Sequence, residues 1–248
     1  MSFLRKRVWI TGAGRGIGAC TADLFQRYNA SVIGLDIDFP NEEYNYQTVT
    51  LDITNSDQIA QVCQNLLNDN QGPDILVNAA GILRLGSMSE LTLADWQACL
   101  SVNATGPFNL LKELLPYFKS RRRGAIVNVA SNAAHVPRMG MTAYCASKAA
   151  LVGLSNCVAL EMAEFGVRCN LVSPGSTDTQ MLRELWGENG GKGTTIAGSP
   201  DQFKLGIPLN KIASTDDVAN TILFLASDMA AHVTMQDIVV DGGATLGS

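Results

Sequence analysis

Short apolar runs alternate with longer helical patterns along nearly all of this 248-residue chain. Seven segments rich in β-branched residues read as strands: 8–11, 32–36, 48–51, 75–78, 125–130, 168–172 and 238–240. Most are continuously apolar. A strand with one wet face alternates apolar and polar residues, whereas a strand covered on both faces does not. Between the strands, apolar spacing predicts helices over 16–28, 55–69, 92–119, 142–165 and 215–226. Repeated strand–helix units imply an α/β fold, a parallel sheet doubly wound by right-handed crossovers. No linker rich in Pro, Gly or Ser divides the chain, so a single domain over 1–248 is expected. The 46% hydrophobic content supplies a core for it.

One stretch breaks the rhythm. Residues 176–206 follow the sixth strand and carry Gly187, Gly190, Gly191, Gly193 and Gly198. A long irregular segment in a compact domain is commonly functional. Its place after a strand's carboxyl end makes it a candidate substrate lid.

The turn after the first strand is Gly12-Ala13-Gly14-Arg15-Gly16-Ile17-Gly18. Glycines let the backbone turn tightly and approach a pyrophosphate. The helix start beyond offers free N–H groups and a positive dipole end. Glycines alone are a weak sign; the strand–turn–helix setting makes this a dinucleotide site. Asp36 ends the second strand, where a carboxylate accepts from ribose hydroxyls and repels a 2′-phosphate, favouring NAD over NADP. Arg15 pulls weakly the other way, because a cation there could pair with that phosphate.

Composition then limits the chemistry. The chain has two histidines, which rules out a three-His zinc centre and makes hydrolytic triads hard to build. Its six cysteines form no C-x-x-C pair and read as reduced, mostly buried thiols. No metal is expected. The 18 Lys and Arg against 23 Asp and Glu leave a charge of −5, so no basic field attracts nucleic acid. No apolar run approaches the roughly 20 residues that cross a membrane, and the start shows no signal-like stretch. A cytoplasmic protein is expected, with neither nucleic acid nor membrane as partner.

A proton acceptor must therefore come from elsewhere. Tyr144 and Lys148 stand four residues apart in a helix pattern and share a face. Tyrosine alone titrates near 10, and a neighbouring ammonium is expected to lower that value. Ser131 ends the fifth strand nearby. His135, four residues after Ser131, raises a Ser–His hydrolase as an alternative, but no G-x-S-x-G elbow accompanies it.

Together, the 11–18 turn, Asn78-Ala79-Ala80-Gly81, Asn103, Ser131, Tyr144 with Lys148, and Pro174-Gly175 resemble the short-chain dehydrogenase/reductase family in order and over nearly the whole chain. The resemblance implies a Rossmann-type fold with a seven-stranded parallel sheet and a nicotinamide cofactor. It implies Tyr144 as general acid/base, Ser131 positioning the substrate oxygen, and Lys148 binding the nicotinamide ribose. Asn103 would support a proton relay through water. Gly12, Arg15, Gly16, Ile17, Gly18 and Asp36 would hold the adenosine half, with Asp52 on the adenine and Asn78, Ala79 and Gly81 as its wall. Pro174, Gly175, Thr177 and Thr179 would receive the carboxamide. Thr177 replaces a more usual aliphatic residue, which leaves only its backbone role, and Asn132 stands where many members have a second serine. A homotetramer is also implied, through 92–119, 142–165 and the C-terminal segment.

Outside these motifs, 78–86, 134–141, 173–181, 203–209 and 236–247 are similar to a subgroup that oxidises a carboxylated cyclohexadiene diol in catechol siderophore biosynthesis. Hydride would leave for NAD and the ketone would tautomerise to an aromatic catechol. A carboxylate calls for arginine's planar fork. Arg138, between Ser131 and Tyr144, is the first choice and Arg84 the second; Met181 is expected in the apolar wall. Two alternatives stay open: an NADPH-dependent carbonyl reductase such as a 3-oxoacyl carrier-protein reductase, and a dinucleotide sensor without turnover.

Overall fold

Seven parallel strands form the central sheet of the computed structural model, which describes residues 1–41, 43–186 and 191–247. In chain order the elements begin with β1 (Arg7–Thr11), α1 (Gly16–Arg27), β2 (Ser31–Asp36), β3 (Gln47–Thr50), α2 (Ser56–Asn68) and β4 (Ile75–Asn78). They continue with α3 (Leu93–Leu100), α4 (Gly106–Arg121), β5 (Gly124–Val129), α5 (Thr142–Ala163) and β6 (Val167–Pro174). Next come α6 (Gln180–Trp186), α7 (Lys192–Ala197), β7 (Gly198–Ser199), β8 (Lys204–Leu205), α8 (Thr215–Ala226) and β9 (Asp237–Val240).

The sheet order is β3-β2-β1-β4-β5-β6-β9. The chain winds outward from β1 to β3 and then returns to place β4 on the other side of β1. This reversal opens a crevice at the carboxyl ends of β1 and β4, where ligands bind in such sheets.

Neighbouring residues of one strand feed opposite cores, as a pleat requires. Val8 and Ile10 face α1 and α8, packing with Phe25 and Ile222. Trp9 faces the other side, with Leu66 of α2, Leu114 of α4 and Val158 of α5. Two covered faces explain the continuously apolar strands.

Four expectations need correction. The helix expected over 92–119 is interrupted: Ser101–Thr105 is one turn of π-helix between α3 and α4. Residues 176–206 are not structureless, because α6, α7 and the antiparallel β7–β8 hairpin lie within them. Gly187 and Gly190 of that segment fall outside the described residues. The cysteines are less uniformly buried than expected: Cys63, Cys99 and Cys169 are buried, Cys20 and Cys145 partly so, and Cys157 is exposed. Finally, α5 is long and apolar enough to cross a membrane. It is a core helix here, with Leu151, Val158 and Met162 packed inward and Lys148 buried.

Candidate active site

Close approaches of backbone build the turn after β1. A Cβ on Gly18 would sit 2.0 Å from the Gly12 carbonyl oxygen, and one on Gly12 would meet the Ala80 backbone at 2.7 Å. Glycine is therefore required at both by space, and at Gly12 also by its φ of +69°. The Thr11 hydroxyl accepts from the N–H groups of Ala79 and Ala80 at 3.1 and 3.2 Å, which ties the β1 turn to the loop after β4. Two tyrosines grip the turn from below. Tyr46 donates to the Ala13 carbonyl at 2.7 Å and Tyr44 to that of Gly14 at 2.9 Å.

The start of α1 differs from those of α2, α3 and α8. Asn55, Thr92 and Ser214 cap α2, α3 and α8 with their side chains. Helix α1 has no side-chain cap and no acid in its first turn. Its leading N–H groups, next to Gly16 and Ile17, suit an anion, and a pyrophosphate fits this cradle.

Asp36 accepts a 2.8 Å hydrogen bond from the Gly14 N–H, which fixes the carboxylate beside the turn. Arg15 pairs with Asp38 at 2.8 Å. Its charge is already answered, and the argument it offered for a 2′-phosphate loses force. Asp52 accepts from the Thr54 N–H and hydroxyl at 2.8 and 2.7 Å and stands at the lip after β3. Asn78 turns away from the crevice: it is 2% exposed and donates to Asn128 of β5 at 2.7 Å. The Asn78 side chain thus ties β4 to β5.

The reactive groups meet beyond Gly81. A Cβ there would lie 3.3 Å from both the Asn103 amide oxygen and the Lys148 ammonium. Asn103 reaches this point from the π-turn, a feature often found at functional sites. Its side chain pairs with both backbone groups of Ile82 at 2.9 Å and donates to Ser147 at 2.9 Å. Ser147 in turn donates to the Tyr144 carbonyl at 2.8 Å. Asn103 thereby clamps the start of α5 to the loop after β4. Ser147 was missed from sequence, although it stands directly before Lys148.

Ser131 is buried, and its hydroxyl lies close enough to Tyr144 to lower the phenol slightly. Burial nevertheless pushes the Tyr144 phenol up to about 12, and this outweighs the Ser131 contact. The Lys148 ammonium donates to the Val129 carbonyl at 2.8 Å, and burial brings it down to about 8. The expectation that Lys148 makes Tyr144 acidic is therefore corrected for the ligand-free protein. Lys148 is buried and Tyr144 partly so, and desolvation favours the neutral form of each.

Pro174 and Gly175 continue β6 toward Thr177, which is buried, and Thr179, whose methyl would lie 3.6 Å from a Cβ on Gly16. The β6 loop therefore faces the cofactor turn. Met181 is the second residue of α6 and is partly buried. Arg84 leans on Asp95 of α3 at 3.7 Å. Arg138 is partly buried and its guanidinium has no partner among the described residues. His135 bonds Asp237 at 2.9 Å and Ser173 at 3.4 Å through the same ring nitrogen. A hydrolytic triad uses both nitrogens, so this trio only fastens the loop to β6 and β9.

A family model described as enoyl-(acyl carrier protein) reductase matches residues 12–245. The chain is 55% identical over 248 residues to the 2,3-dihydro-2,3-dihydroxybenzoate dehydrogenase of Escherichia coli, covering 100% of each. It is 42% identical to the enzyme of that name from Bacillus subtilis, covering 98% of this chain and 97% of that one. Among solved structures it resembles the aldohexose dehydrogenase of Thermoplasma acidophilum, with TM-score 0.90 and 30% identity over 98% and 95% of the two chains.

Proposed function

The chain belongs to the short-chain dehydrogenase/reductase family, and from that premise we propose that it oxidises 2,3-dihydro-2,3-dihydroxybenzoate to 2,3-dihydroxybenzoate with NAD, in siderophore biosynthesis. The observation that carries the substrate is Arg138, a partly buried cation between Ser131 and Tyr144 whose guanidinium has no partner among the described residues. A carboxylate on the diol answers it. Of the alternatives, the NADPH-dependent reductase fits less well, because the Asp36 carboxylate is fixed beside the glycine turn and Arg15 is bound to Asp38.

The cofactor's adenosine half rests on Gly12, Gly16, Ile17 and Gly18, with Asp36 on the ribose and Asp52 toward the adenine. Lys148 holds the nicotinamide ribose, and Thr177 and Thr179 receive the carboxamide. When bound, NAD supplies a cationic hydride acceptor. Positive charge entering the site favours the Tyr144 phenolate, which the ligand-free protein does not hold. Ser131 positions the substrate hydroxyl, and Tyr144 takes its proton as the carbon is oxidised. Asn103 keeps α5 in place and supports the path by which that proton leaves. The ketone tautomerises to an aromatic ring, which draws the reaction toward oxidation.

The described parts of 176–206 act as a lid over the substrate, with Met181 in its apolar wall. A homotetramer fits the outward faces of α4 and α5, where Phe108 is 48% and Leu160 67% exposed. A cytoplasmic location fits six free thiols. The test is the purified protein with NAD and the dihydrodiol, following NADH and catechol together. One NADH per catechol is expected; catechol without NADH, or neither, would remove the assignment.

A further inference from the structure

The loop after β2 folds back onto the cofactor turn and is tied to it at three points. The Gly14 N–H donates to the Asp36 carboxylate at 2.8 Å, the Arg15 guanidinium pairs with Asp38 at 2.8 Å, and the Tyr44 hydroxyl donates to the Gly14 carbonyl at 2.9 Å. The loop also braces itself. The Asp38 N–H donates to the Asp36 carboxylate at 3.4 Å, and the Asn41 N–H to the Tyr44 hydroxyl at 3.2 Å. The Phe39 ring meets Tyr44 edge-on, with centroids 5.2 Å apart. A Cβ on Gly14 would collide with the Asp38 carbonyl and come within 3.0 Å of the Asp36 carboxylate, so both acids lie against the turn.

A second acid thus stands where one would serve. Asp36 can accept from ribose hydroxyls and repels a 2′-phosphate. Arg15 works against it: it precedes Gly16 at the uncapped start of α1, and an arginine there is a ready fork for phosphate oxygens. With Asp36 and Arg15 alone, this corner would carry no net charge. Asp38 breaks the tie. It takes the guanidinium at contact distance and leaves the three side chains with one net negative charge. A phosphate monoester brings about 1.5 to 2 further negative charges near neutral pH. It would have to displace Asp38 from Arg15 before finding a partner. The unphosphorylated ribose of NAD brings no charge and needs nothing from Arg15. Both side chains of the pair are half exposed, and such a pair adds only modestly to folding. Its effect falls on which cofactor can use the arginine.

We propose that Asp38 is a specificity-determining residue that occupies Arg15 and so bars the 2′-phosphate of NADP. This role rests on the NAD reading above and deepens it. The chain carries a cation able to serve a 2′-phosphate and silences it with an acid of its own, held in place by the loop that Tyr44 fastens to the turn.

The test is calorimetric titration of the ligand-free protein with NAD and with NADP, at low salt where exposed charges are least screened. It compares the wild type, Asp38→Ala, Asp38→Glu and the double variant Arg15→Gln/Asp38→Ala. The readout is the ratio of the two affinities, which general damage to the turn would leave alone. Asp38→Ala is expected to shift this ratio toward NADP about 3- to 30-fold, between the value of an exposed ion pair and that of a charge-assisted contact to phosphate. Asp38→Glu keeps the charge and should keep the wild-type ratio. The double variant should lose most of the shift, because the gain belongs to the freed guanidinium. A shift below about twofold in Asp38→Ala, or one that survives without Arg15, overturns the proposal. A wild type that prefers NADP, or binds neither cofactor, overturns the NAD reading and the proposal with it. A wild type that prefers NAD with an unmoved ratio in Asp38→Ala overturns the proposal alone.

Discussion

At the β1–β4 end of the cleft, polar groups are tied to one another before any ligand arrives; at the β6–α8 end they are left waiting. Asp36 already holds the Gly14 N–H, Tyr44 and Tyr46 hold the turn's carbonyls, and Thr11 holds two N–H groups after β4. Across the cleft, the Arg138 guanidinium has no partner among the described residues, and Phe203, Leu205 and Met139 stand in solvent. The first region is a preformed mould for a constant ligand. The second reaches its low-energy form only with the substrate in it. The difference separates affinity from stability. A change at the first end should hurt the empty fold and the binding together, whereas a change at the second should hurt binding alone.

Tyr144 lies between the two ends and should give the largest effect. Tyr144→Phe is expected to lower kcat about 10²- to 10⁴-fold, the usual worth of a general acid/base. NAD affinity, read by fluorescence titration, should stay as it was. Full activity in this variant would remove the mechanism.

Gly18→Ala probes the preformed end. Its Cβ would collide with the Gly12 carbonyl oxygen, and overpacking of this kind costs about 1–3 kcal/mol. NAD should bind about 10- to 100-fold more weakly, and the ligand-free protein should melt earlier. Normal melting with lost NAD binding would break the claim that turn and fold are one structure. Arg138→Ala probes the waiting end. KM for the carboxylated diol should rise about tenfold or more, while ligand-free stability stays within about 0.5 kcal/mol. A large loss of stability would mean that Arg138 has a structural partner after all.

The same contrast governs how much was legible in the sequence. Residues 12–18 could be read because glycine there answers to backbone geometry, which spacing reveals. The strands could be read because burial on both faces leaves a continuous apolar record. The π-turn at 101–105 could not, since one extra residue in a turn barely disturbs an apolar period. Arg84 and Arg138 looked alike in sequence; Asp95 of α3 separates them in space. The electrostatics of Tyr144 and Lys148 were misjudged for a related reason. Spacing shows that two groups are close, but not that both have lost water.

That last point yields a further prediction, a pH trend in folding. Lys148 in the folded protein titrates near 8, below the ordinary lysine value of 10.5. Between these pH values the unfolded chain holds a proton that the folded protein has released. Where the unfolded state binds more protons, stability rises with pH. Burial of charged Lys148 therefore weighs on the fold fully below pH 8, and the penalty disappears as pH climbs to 10.5. Tyr144 works oppositely: raised to about 12 from 10, it lets stability fall between pH 10 and 12. Lys148→Met removes the first effect and keeps the second. Urea unfolding of both proteins from pH 7 to 10.5 should show the wild type gaining on the variant, by at most about 1.4 kcal/mol per pH unit. A difference that stays flat across this window would mean that the Lys148 ammonium is not held out of water, and that its contact with the Val129 carbonyl lies in a wetter cleft than the structure describes.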